Sequence, residues 1–340
     1  MTAKALREQL VVQLRRSVPF DAYNFPLTDP ATLIATSPLA DVPMLPWARL
    51  PELIRWRYLS SICRWDQVVT SGKRATSLLI ETNGQAERSP VWQHVQRELG
   101  VIDTAIVVFT DRYGCWGLLD LWRTSGGAFS PAEVRILSTL VEQVAQGLRR
   151  AVARTFVDAE EQLLALGPAV IVLDPELRVR TQTEAAAAAL FQLNPPDDPI
   201  PPIPAAAYNI AAALLAEEHG MAIGHCQSRI HLGGSRWVTV KASRLGHDVA
   251  VSIEPSTSEE RIDLYARACG LSERESEILT LLSQGFDTRE IAERIVVSHH
   301  TATDHVKAIL AKTGARTRQV ALARALGAAT GPNRQQRDHR

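Results

Sequence analysis

The stretch Ser298-His-His-Thr-Ala-Thr-Asp-His-Val-Lys-Ala-Ile-Leu310 decides how the C-terminal part of the chain folds. Ala302, Val306, Ile309 and Leu310 recur at i, i+4, i+7 and i+8, so they share one face of a helix and turn inward. Thr303, Asp304, Lys307 and Ala311 then face outward, and the Ser298 hydroxyl can cap the first turn. Upstream, Ser272 and Glu275 form a capping box for a helix that carries Ile278, Leu279, Leu281 and Leu282 and closes at Gly285. Asp287 and Glu290 repeat the box for a short helix with Ile291, Ala292 and Ile295 inward, and only Val296-Val297 separate it from Ser298. Downstream, Gly314 ends the long helix and Thr317 can cap a fourth, through Val320, Ala321 and Leu326. A short helix, a tight turn and a second helix with a basic outer face suit the DNA major groove.

Charge agrees with this locally, not globally. The chain of 340 residues carries 37 basic and 37 acidic side chains. From Ser298 to Arg340, however, eight Lys or Arg stand against two Asp. A basic end on a neutral protein is the electrostatic footprint of a nucleic-acid module.

In order and spacing, Leu271-Ser-Glu-Arg-Glu275, Gly285, Glu290-Ile-Ala292, Ser298, Thr301, His305-Val306, Ile309, Lys312, Gly314 and Arg318 resemble the LuxR-type helix-turn-helix family. Ala302 and Thr313 depart from the family's usual valine and leucine. The resemblance implies an all-α, four-helix domain over 267–328 that binds double-stranded DNA. It implies further that Thr303, Asp304 and Lys307 approach base edges, while Ser298, Thr301, His305, Lys312 and Arg318 hold phosphates. The plainer alternative is a small helical bundle with a solvated basic face.

The rest of the chain predicts a multidomain α+β protein. Residues 1–50 are an amphipathic helix (Leu6, Leu10, Val11, Leu14) and a proline-rich lead-in in which Pro19 through Pro51 leave no regular helix before about Glu52. Over 51–154 the pattern mixes strands (Ser77–Glu81, Ala105–Phe109, Cys115–Trp122) with helices (Trp92–Leu99, and one opened by Ser130-Pro131 with Glu133). Arg55-Trp-Arg-Tyr58, Ser89-Pro-Val-Trp92, Asp111-Arg-Tyr-Gly-Cys-Trp-Gly117 and Leu119-Asp-Leu-Trp-Arg123 resemble GAF domains joined to LuxR-type domains in actinobacterial regulators. Residues 155–255 resemble a PAS domain by strand order: Ala169–Leu173, Val179–Thr183, Ser228–Leu232, Trp237–Lys241 and Asp248–Ile253, interrupted by a helical stretch at Ala185–Phe191 and the proline run Asn194–Pro204. A linker at 256–266 and a disordered basic tail at 329–340 complete the division. No acidic pair and phosphorylatable Asp suggest a receiver, and no G-x-x-x-x-G-K-[ST] suggests a nucleotide-driven switch.

Six of seven tryptophans (47, 56, 65, 92, 116 and 122) fall before residue 155. Tyr58, Arg64, Trp65, Trp92, Trp116 and Trp122 are therefore the candidate lining of a pocket for a small apolar or aromatic effector, with an ordinary core or dimer interface as the alternative. The four cysteines are scattered, and His225, Cys226 and His231 match no standard metal set, so no metal or cofactor is expected. No nucleophile, base and orienter set suggests an enzyme. The chain shows no secretory leader and no membrane span, so the cytoplasm is the expected location. An apolar stripe from Ile136 to Leu148 faces a core or a partner. Together these features predict a homodimeric one-component regulator, ligand-responsive through its GAF/PAS-like region. The rival is a ligand-binding or scaffold protein whose helical tail mediates protein contacts.

Overall fold

The computed structural model describes residues 1–157, 167–193, 204–221 and 226–327. Most of the proline run, His225 and the basic tail lie outside the described residues, as do Leu163–Leu166, whose apolar pattern in the sequence reads as the end of a helix. The chain separates into two compact units, the first built from Met1–Ala151, Leu166–Ile230 and Val238–Pro255, the second from Val152–Ala165, His231–Trp237 and Ser256–Arg340.

The first unit opens with α1 (Ala3–Ser17), capped by Thr2. The proline-rich passage is more ordered than its composition predicts. It contains β1 (Ala22–Asn24), β2 (Leu27–Thr28), β3 (Ala35–Thr36) and β4 (Ala40–Asp41), each short enough to fit between prolines. Then follow α2 (Leu50–Leu59), α3 (Trp65–Thr70), β5 (Ala75–Ser77), α4 (Leu78–Glu81), β6 (Asp103–Asp111), β7 (Gly114–Arg123) and α5 (Pro131–Ala153). β7 is central: β6 pairs with it along one edge, β1 and β2 along the other, all antiparallel. The strand predicted at 77–81 ends at Ser77, because the Ser77 hydroxyl accepts from Ile80 N–H and turns the chain into α4. The helix predicted at 92–99 shrinks to a wide turn over Trp92–Gln96, with Arg97 N–H donating to Trp92 C=O.

The α5 stripe is spent on the chain's own core. Leu137, Val141, Val144 and Leu148 are buried, and a Cβ on Gly117 of β7 would lie 3.0 Å from Leu148. Ile136, 41% exposed, faces outward at the start of the stripe, and Leu140 is half-buried.

A second sheet follows, with β8 (Ala169–Leu173), β9 (Val179–Gln182), α6 (Glu184–Leu193), α7 (Ala205–Glu218), β10 (Gln227–Gly233), β11 (Arg236–Leu245) and β12 (Asp248–Pro255). Its order is β10-β11-β12-β8-β9. Alanine-rich α7 is buried nearly all round, against β12 on one hand and α2 and β3 on the other. Small side chains permit that close approach, and a helix apolar on every face needs such a site. Apart from His231–Trp237 at the β10–β11 turn, both sheets therefore belong to one unit, and the lead-in is part of it.

The second unit holds five helices among its described residues: α8 (Ser258–Cys269), α9 (Glu273–Ser283), α10 (Thr288–Arg294), α11 (His299–Thr313) and α12 (Arg318–Leu326). Most of the predicted linker is helix α8, opened by a capping box of Thr257 and Glu260. Phe156 stacks on Trp237 with ring centroids 5.3 Å apart and leans on Tyr265 of α8 at 5.0 Å.

Candidate functional site

The geometry of the second unit follows from its caps. Ser272 accepts from Glu275 N–H while the Glu275 carboxylate accepts from Ser272 N–H, and Asp287 with Glu290 does the same for α10. The Ser298 hydroxyl accepts from Thr301 N–H at 3.0 Å and lies 2.8 Å from the Thr301 hydroxyl, which fixes where α11 begins. Gly314, at φ 62, closes α11, and Thr317 caps α12. Ile278, Leu279, Ile291, Ala302 and Ile309 meet in the interior, so α10 and α11 are held as a pair.

The outer face of α11 carries Asp304 and Lys307, both exposed, with Lys307 Nζ donating to Asp304 at 3.1 Å and His300 Nε2 3.3 Å from the same carboxylate. The Lys307 hydrogen bond holds the Asp304 carboxyl below its usual range. Thr303 is half-buried and turns its hydroxyl back onto His299 C=O. No acidic residue occupies the first turn of α11, where free backbone N–H groups attract anions. Ser298, Thr301 and Arg318 are exposed and His305 half-buried.

Lys312 has a second commitment. Its ammonium donates to both Glu275 oxygens, at 2.8 and 2.6 Å, and ties α11 to the start of α9. Burial pushes the Glu275 carboxyl up, but Lys312 and the Ser272 bonds outweigh it and leave it low. Spacing gave no sign of this pair, which joins residues 37 positions apart.

The expected aromatic pocket is divided in the first unit. Tyr58, Arg64 and Trp65 do meet, at a cavity of about 20 Å³ open to solvent and lined also by Thr32–Ile34, Arg57 and Asp66. The other three are used elsewhere. Trp92 donates to Val101 C=O, Trp116 donates to Asp111, and Trp122 is packed among Ala22, Leu53 and Val95. At the cavity, Arg64 is bidentate to Asp66, at 2.6 and 2.9 Å. Arg57 pairs with buried Asp120, whose other oxygen accepts from the Trp65 indole at 3.3 Å. The turn at 32–34 was missed from sequence, lying in the proline-rich passage. Asp29 shapes it, accepting from Ala31 and Thr32 N–H.

Among the described residues no helix is long and apolar enough to cross a membrane, and no cluster of His, Cys, Asp or Glu could hold a metal.

Comparison with known proteins bears on the C-terminal helices. No curated protein matches the chain. The crystal structure of Escherichia coli SdiA is similar at 15% identity and a TM-score of 0.33, over 96% of this chain and 92% of that one. Residues 270–325 match the family model of bacterial regulatory proteins of the luxR family. With their caps, tight turn and outward-facing α11, residues 270–325 are a luxR-family helix-turn-helix domain.

Proposed function

We propose that the protein is a homodimeric one-component transcriptional regulator, in which the first unit senses a small molecule and the luxR-family domain reads DNA. The observation that carries the reading is the α10–α11 pair, capped at both N-termini and presenting Asp304 and Lys307 outward. In this reading Thr303, Asp304 and Lys307 meet base edges. Asp304 would accept from a cytosine amino group, and Lys307 would donate to guanine acceptors. Ser298, Thr301, His305, Lys312 and Arg318 hold phosphates, with Lys312 using the donor that Glu275 leaves over. No enzymatic role is assigned, and a DNA-binding regulator works in the cytoplasm.

The sensor part of the reading has two supports. Counted from its own first strand, the second sheet runs 2-1-5-4-3, which favours the PAS-like reading of that region. The GAF-like reading rests on the antiparallel sheet around β7 and the resembling motifs it carries. The dimer is argued from DNA geometry, since one small helix-turn-helix needs a second half-site about one helical turn away. With the α5 stripe buried, that face no longer argues for it.

Duplex binding by the full chain across a salt series tests the whole. Phosphate contacts predict a steep linear fall of log affinity with log salt. A tail made for protein contacts predicts no duplex binding, and light scattering at one monomer mass, free and on DNA, would remove the dimer.

A further inference from the structure

Two hydroxyls at the small cavity of the first unit lack what buried hydroxyls normally have. Thr32 Oγ1 is buried without a hydrogen-bond partner, and Tyr58 Oη meets only the backbone N–H of Ala35, which leaves its O–H without an acceptor; both residues line the same cavity. Native structures rarely leave such groups unmatched, and two at one cavity imply a missing partner there. The charges nearby are already matched. Arg64 is engaged by Asp66 and Arg57 by Asp120, so two guanidinium groups face two carboxylates and no net charge is left for an anion. Leu33, Ile34 and the rings of Tyr58 and Trp65 supply apolar and aromatic surface. At about 20 Å³ the enclosed space admits one water-sized group, while the opening to solvent leaves room for more beyond it.

We propose that this cavity is the effector site, and that it takes a neutral molecule with one hydrogen-bonding head, an alcohol or a ketone, on an apolar or aromatic body. The head supplies the acceptor that the Tyr58 and Thr32 hydroxyls lack, and the body extends from the cavity toward solvent, where Leu33 and Asp66 are the lining residues not fully buried. An acid held by Arg64 is disfavoured, because the Asp66 fork already occupies that guanidinium. The proposal rests on reading the first unit as the sensor.

The test uses three probes of similar shape on the full chain: benzyl alcohol, benzoate and toluene, followed by tryptophan fluorescence. Benzyl alcohol should bind about tenfold more tightly than either of the others, the effect of one neutral hydrogen bond. Tyr58→Phe and Thr32→Val should each remove about tenfold of its affinity. Both variants should melt at or above the wild-type temperature without probe, since each deletes an unmatched group. Benzoate binding as tightly as benzyl alcohol overturns the neutral class. Binding of none of the three overturns the site, leaving a trapped water as the missing partner. Should benzyl alcohol bind through Tyr58 and Thr32 yet leave duplex affinity unchanged, the site stands and the sensor reading fails.

Discussion

Arg229 grips Asp29 across 200 positions of sequence, donating from its backbone N–H and from Nε and Nη2 at 2.9, 2.7 and 2.8 Å, with both side chains buried. The same carboxylate shapes the turn that leads to the cavity. The pair thus ties β10 of the second sheet to the lead-in of the first. Arg229→Met should leave a carboxylate buried and unmatched and cost about 3–5 kcal/mol, whereas Arg229→Met with Asp29→Leu should recover much of the loss. Urea unfolding of the three proteins measures it. Equal losses in single and double variants would show that the charge is not what matters.

Asp29 also predicts a pH dependence. Burial pushes its carboxyl up, but the bonds and charge of Arg229 outweigh that and leave it below the usual range. A carboxyl lowered in the folded state stabilises fully above its unfolded pKa of about 3.9, and the contribution fades as pH falls through the folded value. Asp29→Asn should therefore be less stable at neutral pH and lose less on acidification below about pH 4. Parallel stability curves for the two proteins would contradict the assignment.

The contrast between the two units shows what a sequence reveals. Every cap of the helical domain acts over three residues, as from Ser272 to Glu275 or Ser298 to Thr301, so local pattern sufficed. The lead-in strands were invisible because their partner is remote: Tyr23 pairs with Leu121, and Leu27 with Gly117. Tryptophan count suggested one pocket, but Trp92 and Trp116 satisfy their indole N–H groups within nine residues and never reach Trp65's cavity. Ile136 to Leu148 announced a buried stripe without saying whether core or partner would cover it.

Val296, in the turn between α10 and α11, sits at φ 55 and is 88% exposed. A β-branched residue in the left-handed region is strained by about 1–2 kcal/mol, and here no burial compensates. Asparagine tolerates that conformation. Val296→Asn should raise domain stability by about 1 kcal/mol, read by calorimetry. A drop would mean that Val296 makes a contact absent from the isolated chain.

Arg261 holds the end of the helical domain through a planar fork. Buried on α8, it donates to Ala325 and Arg324 C=O at the C-terminus of α12 and to Ser235 C=O, at 3.1, 3.2 and 2.9 Å. Burial pulls its pKa down to about 10, so it stays charged at neutral pH and complements the negative end of α12. Gly327 lies at φ 71, where an L side chain is strained, and a Cβ there would lie 2.7 Å from the guanidinium and push it out of its fork. One ammonium cannot serve three diverging carbonyls, so Arg261→Lys should cost about 1–3 kcal/mol despite conserving charge. Hydrogen exchange at the α12 amides checks it: unchanged protection would assign the hold on α12 to its packing against α8 instead.

Lys307 and Lys312 separate base reading from phosphate holding. Lys307 is 68% exposed and bonded only to its neighbour Asp304, so Lys307→Ala should leave stability almost unchanged. In the proposed placement it removes a base contact of about 1–3 kcal/mol, weakening a selected operator while sparing random duplex. Lys312→Ala should instead weaken both duplexes alike and lower the salt slope by about one unit. That variant also strands Glu275, whose side chain is only 7% exposed, so it should destabilise the domain as well. Adding Glu275→Gln to Lys312→Ala separates the two effects, because it removes the stranded charge without restoring a phosphate contact. The double variant should regain stability and keep the reduced salt slope. If its slope returns to the wild-type value, Lys312 serves the fold alone. If Lys307→Ala weakens operator and random duplex by the same factor, the base-reading face lies elsewhere on α11.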